Sequence, residues 1–227
     1  MEMSHSPEES ERLSLLRDVQ KALSLAIQSL DDKAPPPANV DCQYLQSAAA
    51  FVNCAADGYL VVREAFRVDA SKLLVRPILE SVFKAAAVMR KPGFLTRLAY
   101  SEWKEELRMF KKDPAGKAAS TRELEEFKKR FSQDNPGYPA VYSHASISDT
   151  ATEAGMKTLY ETTYGTYCAF THAALAAVHG PSDGWTDNND TGVVTCCIMV
   201  ILELLNQHTP AQVPDIAPFR ERLTLQA

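Results

Sequence analysis

The stretch Leu73-Leu74-Val75-Arg76-Pro77-Ile78-Leu79-Glu80-Ser81-Val82-Phe83 places two charged side chains among apolar neighbours. Arg76 and Glu80 are four residues apart, which is the spacing at which side chains on one face of an α-helix meet. Ionised groups are almost never buried without a partner, because leaving water is costly for a charge. The stretch therefore predicts an apolar helix in which Arg76 and Glu80 hold each other.

This helix is expected to run through the middle of the fold. The face opposite Arg76 is also apolar, since Leu74 and Ile78 lie on it. Pro77 has no backbone N–H to donate to the Leu73 carbonyl, and its ring clashes with that carbonyl. We therefore expect a kink at Pro77 or a helix that starts late.

Helical periodicity continues along nearly the whole chain, and alternating β-branched runs are rare. We predict one all-α domain over residues 1–227, a single bundle of about seven to eight helices, with the kinked Arg76–Glu80 helix at its centre. A proline-rich linker at residues 31–40 is expected after the first helix. Residues 209–227 are expected to form an irregular C-terminal tail, with room for one short helix at its end.

Three local patterns predict where later helices begin and end. The sequence Ser120-Thr121-Arg122-Glu123 has the capping-box pattern, which predicts the start of a helix that ends near Asp134. A long helix is expected from about Lys157 to Val178. Residues 180–190, rich in Gly, Asp and Asn, predict a loop that supplies the N-cap of an apolar helix over Thr191 to Gln207.

The charge of the chain is unevenly distributed. The net charge of -5 argues against a protein that coats nucleic acid by bulk attraction. Residues 84–130, however, carry 13 basic and 7 acidic side chains, a local net charge of +6. Two interpretations stay open for this segment: helices that neutralise their own acidic neighbours, or a face that binds an anion such as RNA.

Cysteine usage and apolar runs indicate the compartment. The chain has five cysteines: Cys42, Cys54, Cys168, Cys196 and Cys197. An odd number without C-x-x-C spacing is typical of reduced cysteines and not of a disulfide framework. The longest apolar run, Val193 to Leu205, contains Glu203 and is shorter than a membrane span. With a polar start unlike a signal peptide, the chain is predicted to be cytoplasmic and not membrane-bound.

A second group of polar side chains recurs at helical spacing on the Lys157–Val178 helix. Its members are Tyr160, Tyr164, Tyr167, Thr171, His172 and, further on, His179. Cys168 and His172 have the i, i+4 spacing that can chelate a metal, but His179 lies about 10 Å further along the helix, too far for the same ion. We therefore predict no metal site. No cofactor is predicted either, because the nucleotide-binding and hydrolase motifs are missing from the sequence.

Two interpretations of Arg76 and Glu80 compete. In the first, they form a buried ion pair that fixes helix register, and the tyrosines and His172 complete a buried polar network. In the second, Arg76 belongs to a preorganised anion-binding or catalytic site, because a guanidinium offers five donors in a fixed fork. The catalytic candidates are then Arg76, Glu80 and His172. The binding candidates are Tyr164, Tyr167, Thr171 and His179.

A family resemblance rests on three segments of the chain: Ala70-x-x-Leu73-Leu74-x-Arg76-Pro77-x-Leu79-Glu80, Ser148–Gly155, and Tyr164-x-x-Tyr167-x-x-x-Thr171-His172. Together they resemble an uncharacterised helical family of bacteria and fungi, known as domain of unknown function 5677. That family pairs an arginine–glutamate helix with a later tyrosine helix ending in Ser-x-x-His or a close variant. Because Thr171 directly precedes His172, either His172 or His179 is the counterpart of the family histidine. The resemblance, over roughly Val68 to Val178, implies a helical bundle that brings Arg76, Glu80 and His172 together, and it implies no activity.

Two functions are consistent with these residues. The first is a helical protein that acts by binding a partner or by self-association, possible surfaces being the tyrosine face and the Thr191–Gln207 helix. The alternative is a metal-independent ribonuclease of toxin or defence type that uses Arg76 and His172.

The ribonuclease alternative rests on a weaker resemblance, to helical nucleases of the higher-eukaryote-and-prokaryote nucleotide-binding type. These nucleases usually carry R-x-x-x-x-H on one helix, whereas no arginine here precedes a histidine by five to seven residues. Arg76 and His172 would have to meet from two helices, with Arg76 stabilising phosphate charge and His172 acting as acid or base. The basic segment 84–130 would supply affinity for RNA.

Overall fold

Helices make up nearly all of the structure, a computed structural model that describes residues 6–31, 39–65, 68–108, 114–171 and 184–225. In chain order they are α1 (Pro7–Asp31), α2 (Val40–Glu64), α3 (Val68–Arg90), α4 (Phe94–Arg108), α5 (Pro114–Asp134), α6 (Ile147–Glu153), α7 (Lys157–Leu159), a π-helical turn (Tyr160–Tyr164), α8 (Gly165–Thr171), α9 (Gly184–His208) and α10 (Ala217–Leu225). The described residues contain no strand. The predicted all-α bundle is confirmed.

One hydrophobic core joins α1, α2, α3 and α9. Apolar residues repeat at three- and four-residue spacing on α1, which buries Leu13, Leu16 and Leu23 completely or nearly so. Helix α3 packs against α2, α4, α6, α8 and α9, so it occupies the centre, as predicted. Its residues Val75 and Ile78 have no exposed surface.

Pro77 lies inside α3 without interrupting it. The helix runs from Val68 to Arg90, so the late start that Pro77 suggested does not occur. The helix begins more than two turns before the proline, and proline removes only one intrahelical hydrogen bond, which the buried apolar faces of α3 outweigh. The bend of the helix axis at Pro77 stays a prediction.

The predicted capping box at Ser120 is wrong. Helix α5 begins at Pro114, and Ser120 lies in its second turn. There its hydroxyl donates to the Gly116 carbonyl at 2.8 Å, a back-bond that serine makes within a helix instead of a cap. A capping box does occur at α6, where Ser146 and Asp149 bond each other's backbone N–H groups.

The predicted loop before the last core helix is also shorter than expected. Helix α9 starts at Gly184, so residues 184–190 are helical and Thr191 is not at the helix start. Asp190 and Thr191 have no exposed surface. Their side chains hydrogen-bond tyrosines on other helices, and such tertiary contacts override the turn preference of Asp and Asn.

Of two further predicted segments, one lies mostly outside the described residues and the other is described. Most of the proline-rich linker, residues 32–38, lies outside the described residues. The tail is irregular over residues 209–216 and then forms α10, the short helix for which the prediction left room. Arg222 of α10 pairs with Asp18 of α1 at 2.7 Å, and Arg220 pairs with Glu203 of α9.

Helix α9 contains a segment, Asp190–His208, that is long and apolar enough to span a membrane by length and composition. In the bundle, 61% of its most apolar window is buried against other helices, a property that the core helices of soluble proteins share. Because this helix forms core, its Thr191–Gln207 part offers little surface for the self-association considered above.

Two ion pairs join α1 to α2, and they differ in burial. Arg63 pairs with Glu9, and only 3% and 8% of their side chains are exposed. Arg17 pairs with Glu64 at 2.7 Å, with 49% and 46% exposed. Both pairs link the same two helices, so they form a natural comparison of a buried and an exposed charge pair.

Replacing Arg63 with alanine should lower the free energy of unfolding by about 3–5 kcal/mol, because Glu9 is left as an uncompensated buried charge. Arg17→Ala, the matched control on the exposed pair, should cost less than about 1 kcal/mol. Urea denaturation followed by circular dichroism measures both. Equal losses for the two variants would contradict the assignment of Glu9–Arg63 as a buried pair that holds α1 in place.

Candidate functional site

Arg76 and Glu80 form the ion pair that the sequence predicts. They lie one turn apart on α3, and Arg76 Nε donates to Glu80 Oε1 at 2.8 Å. The predicted burial is only partial, since 21% of the Arg76 side chain and 28% of the Glu80 side chain are exposed. The pair lies at the side of α3 that borders a surface cleft, whereas Val75, Ile78 and Leu79 of the same helix have no exposed surface. Solvent therefore reaches both charged groups.

Tyr164 completes the site from the π-helical turn. Its hydroxyl donates to Glu80 Oε1 at 2.5 Å, and its ring centroid lies 5.7 Å from Arg76 Cζ. The ring stacks on Tyr160, with centroids 5.1 Å apart, and also contacts Phe83. Arg76, Glu80 and Tyr164 are called the Arg–Glu–Tyr triad below. Both described hydrogen bonds to Glu80 end on Oε1, so among the described residues Oε2 accepts none.

The surroundings hold Tyr164 and Arg76 each in one protonation state at neutral pH. Burial, followed by the hydrogen bonds to Glu80 and Cys168, raises the pKa of Tyr164 well above its usual range. The hydrogen bond to Glu80 is the main cause that raises the pKa of Arg76 further. Tyr164 is thus a neutral donor and Arg76 a permanent cation, and both point their donors at the same carboxylate.

The triad opens into a cleft of about 270 Å³. Beside the triad, a second ion pair lines it, Lys84 to Glu102 at 2.7 Å. Its apolar wall includes Leu98, Ala145 and Ile147. The cleft thus combines oppositely charged groups with an apolar wall, as small-molecule binding sites usually do.

His144 also lines this cleft, and sequence reasoning missed it. It lies in the segment between α5 and α6, which has no helical periodicity to place it relative to α3. Arg97 of α4 positions its backbone, because Arg97 Nη2 donates to the His144 carbonyl at 2.8 Å and to Asp149 at 3.2 Å. The sequence signal nearest to His144 is the capping pattern of Ser146 and Asp149, which marks the start of α6.

Tyr167 belongs to a different, sealed set of contacts. Its hydroxyl donates to Asp190 Oδ1 of α9, and only 2% of Tyr167 is exposed. The Tyr59 hydroxyl and Thr191 Oγ1 lie 3.2 Å apart beside them. Charges on Asp190 and Glu9 also act on Arg63. We call Glu9, Arg63, Tyr167 and Asp190 the buried charge cluster. The sequence placed a sealed polar network around Arg76, whereas this cluster contains neither Arg76 nor Glu80.

The sequence-predicted site residues therefore separate into three groups. Arg76, Glu80 and Tyr164 come together, while Tyr167 lies in the buried charge cluster. Thr171 ends α8, and its side chain is outside the described set. His172 and His179 lie outside the described residues, so their placement beside Arg76 stays a prediction.

No group of three or more His, Cys, Asp or Glu side chains that could hold a metal ion occurs among the described residues. All five cysteines are free, as the sequence predicted. Cys168 contacts Tyr164 through a side-chain hydrogen bond. The Arg–Glu–Tyr triad and Cys168 thus bring together a carboxylate, a guanidinium, a phenol and a thiol.

Alkaline pH should unfold the protein as its buried tyrosines ionise. Burial is the main cause that raises the pKa of five of the eight tyrosines: Tyr44, Tyr59, Tyr138, Tyr164 and Tyr167. A raised folded-state pKa means that their stabilising effect is complete below the unfolded pKa of about 10 and is lost as pH rises above it. Tyrosinate absorbance and circular dichroism should therefore change together above about pH 10. Ionisation of all eight tyrosines before any loss of helical signal would contradict this.

Comparison with known proteins gives one family. The model of a family described as a family of unknown function, DUF5677, matches residues 48–189, about 140 of the 227 residues. The match covers most of α2, all of α3 to α8 and the start of α9, and therefore includes the whole triad. No significant match to a curated protein or to a solved structure was found. By this match over more than half of its length, the chain belongs to the DUF5677 family of unknown function.

Proposed function

We propose that this protein binds a small zwitterionic molecule of amino-acid type in the cleft at the Arg–Glu–Tyr triad. The observation that carries the proposal is that Arg76 and Glu80 are partly exposed at a cleft instead of sealed in the core. A purely structural ion pair gains nothing from solvent access and is screened by it. A ligand-binding pair needs that access.

The pattern of charge in the cleft suggests the class of ligand. Arg76 and Lys84 line the same space as the carboxylates Glu80, Glu102 and Glu105, so the wall carries both signs of charge. A ligand with one charge would meet repulsion from the groups of the same sign, whereas a zwitterion can satisfy both signs. Glu80 Oε2, which accepts no hydrogen bond from the described residues, is placed to accept from a ligand ammonium group.

The size and apolar lining of the cleft agree with this class. A volume of about 270 Å³ is close to the lower end of small-molecule sites. Leu98 and Ile147 would contact the apolar part of the ligand, and Tyr164 holds Glu80 in a fixed position by its hydrogen bond. Preorganisation of this kind lowers the entropic cost of binding.

A mixture of free amino acids should show binding by saturation-transfer NMR with the full chain, and Glu80→Gln should weaken it. The substitution keeps the shape of the side chain and removes the charge, so the loss of a charge-assisted hydrogen bond should lower affinity about ten- to hundredfold. Glu161→Gln is the matched control, because Glu161 is exposed on the same π-helical turn as Tyr164 and does not line the cleft. No binding by the wild-type chain, or equal losses in the two variants, would overturn the proposal.

Metal-independent RNA cleavage is the second candidate function, and one observation favours it. Arg76 and His144 line the same cleft, so a guanidinium and an imidazole have access to one bound group. An arginine that stabilises phosphate charge beside a histidine that transfers a proton can cleave a phosphodiester bond. Glu80 and Glu102 in the same wall oppose the binding of a polyanion, which is why amino-acid binding ranks first.

A labelled RNA incubated with the full chain in excess EDTA tests this second candidate. Cleavage should occur in EDTA, be lost in Arg76→Lys, which keeps the charge but not the guanidinium fork, and be lost in either His144→Ala or His172→Ala. The histidine whose loss abolishes cleavage is the acid or base. Circular dichroism should show that these variants fold normally. Intact RNA after prolonged incubation with the wild-type chain would exclude the candidate.

A further inference from the structure

A groove with an aromatic wall lies between α4 and α5, on residues apart from those of the triad cleft. Its volume is about 360 Å³, within the range of small-molecule sites. Trp103 of α4 and Phe127 and Phe131 of α5 form the wall. The rings of Trp103 and Phe127 stack at 5.9 Å with an angle of 21° between their planes, and Phe131 continues the row at 5.9 Å from Phe127. We call this surface the aromatic groove.

Trp103 is one of the exposed large apolar side chains of the described residues, with 36% of its surface accessible. On an isolated surface helix a polar residue could usually replace a tryptophan without loss of stability, because the tryptophan gains little from burial there. Here the stacked rings of Trp103 and Phe127 line a cavity. An aromatic wall of this kind contributes apolar contact and a negative π-face at the same place.

The polar lining of the aromatic groove is acidic. Glu123, Glu126 and Asp134 line it together with Arg130, so the carboxylates outnumber the cation. Arg130 pairs with Glu126 at 3.1 Å. Glu123 and Asp134 form no ion pair with a described residue. This polarity is opposite to the net charge of +6 of residues 84–130, and it selects for a positively charged ligand.

The same two helices already hold an ammonium group against aromatic rings on another face. Lys128 Nζ lies 5.8 Å from the centroid of Tyr100 and 5.6 Å from that of Tyr142, and Lys104 Nζ lies 6.0 Å from Tyr100. There the chain supplies its own cation. At the rings of Trp103, Phe127 and Phe131 no cation from the described residues occupies the corresponding position, and a cavity lies there instead.

We propose that the aromatic groove binds a small organic ammonium ion, of the quaternary or alkylated type. The rings provide cation–π attraction and apolar contact for the alkyl groups, and Glu123 and Asp134 provide the opposite charge. A hydrated metal ion fits this lining less well, because aromatic faces cannot replace its water ligands. The volume matches a free small molecule. The ligand that we propose is therefore a free ammonium ion and not an alkylated lysine side chain of a partner protein.

Trp103 itself reports binding. The chain has two tryptophans, so Trp185→Phe leaves Trp103 as the only indole fluorophore. Titration of this variant with tetramethylammonium chloride and with choline chloride should change Trp103 fluorescence in a saturable way, whereas sodium chloride at equal ionic strength should not. Equal responses to sodium and to the ammonium salts would overturn the proposal, as would the lack of a saturable response.

Charge substitutions then distinguish ligand binding in the groove from a general electrostatic attraction of the protein for cations. Glu123→Gln with Asp134→Asn should weaken ammonium binding about tenfold or more, because both carboxylates face the ligand. Glu125→Gln removes the same type of charge from the same helix outside the groove and should leave affinity within about twofold of the parent. Equal weakening by the control would overturn the proposal, as would tight binding of a trimethyllysine peptide together with no response to choline.

Discussion

A charge that leaves water needs a partner of opposite sign, and in this bundle the partners come from different helices. Glu9 on α1 pairs with Arg63 on α2, and Asp190 on α9 adds its charge to the same site while it accepts from Tyr167 on α8. Four helices thus meet at the buried charge cluster. Apolar packing alone tolerates a shift of one helix along another, but a sealed ion pair does not. The cluster therefore sets the register in which α1, α2, α8 and α9 close around α3.

This register also determines the position of the triad. Tyr164 and Tyr167 are three residues apart, and Tyr167 is anchored to α9 through Asp190. Tyr164 then faces α3, where its hydroxyl reaches Glu80. The π-helical turn Tyr160–Tyr164 has i→i+5 hydrogen bonds and so rotates the residues before it relative to those after it. Tyr164 ends this turn and Tyr167 lies on α8, and the two tyrosines serve two separate polar sites, one open to solvent and one sealed.

The sequence could predict what depends on periodicity and spacing. The all-α bundle, the central α3 and the Arg76–Glu80 pair follow from apolar residues at helical spacing and from the i, i+4 rule. The buried charge cluster could not be predicted, because Glu9, Arg63 and Asp190 are far apart in sequence and each resembles a solvated surface charge. Tyr164 and Tyr167 are three residues apart and share one helix face, and spacing alone does not show that they contact different helices. His144 could not be predicted for a third reason. It lies in a segment without regular structure, where the spacing of residues along the sequence does not indicate their positions in space.

Part of the positive charge of the basic segment 84–130 is neutralised by the fold. Six of its cations pair with carboxylates of the described residues: Lys84, Lys91, Arg97, Arg108, Lys128 and Arg130. Two of those carboxylates, Asp149 and Glu153, lie outside the segment, so counting charges within the segment omits them. The groove between α4 and α5 is lined by acidic and aromatic side chains, and the triad cleft is lined by side chains of both charges. Because opposite charges are drawn together from distant parts of the chain, the electrostatic character of each site is a property of the fold and not of the local sequence.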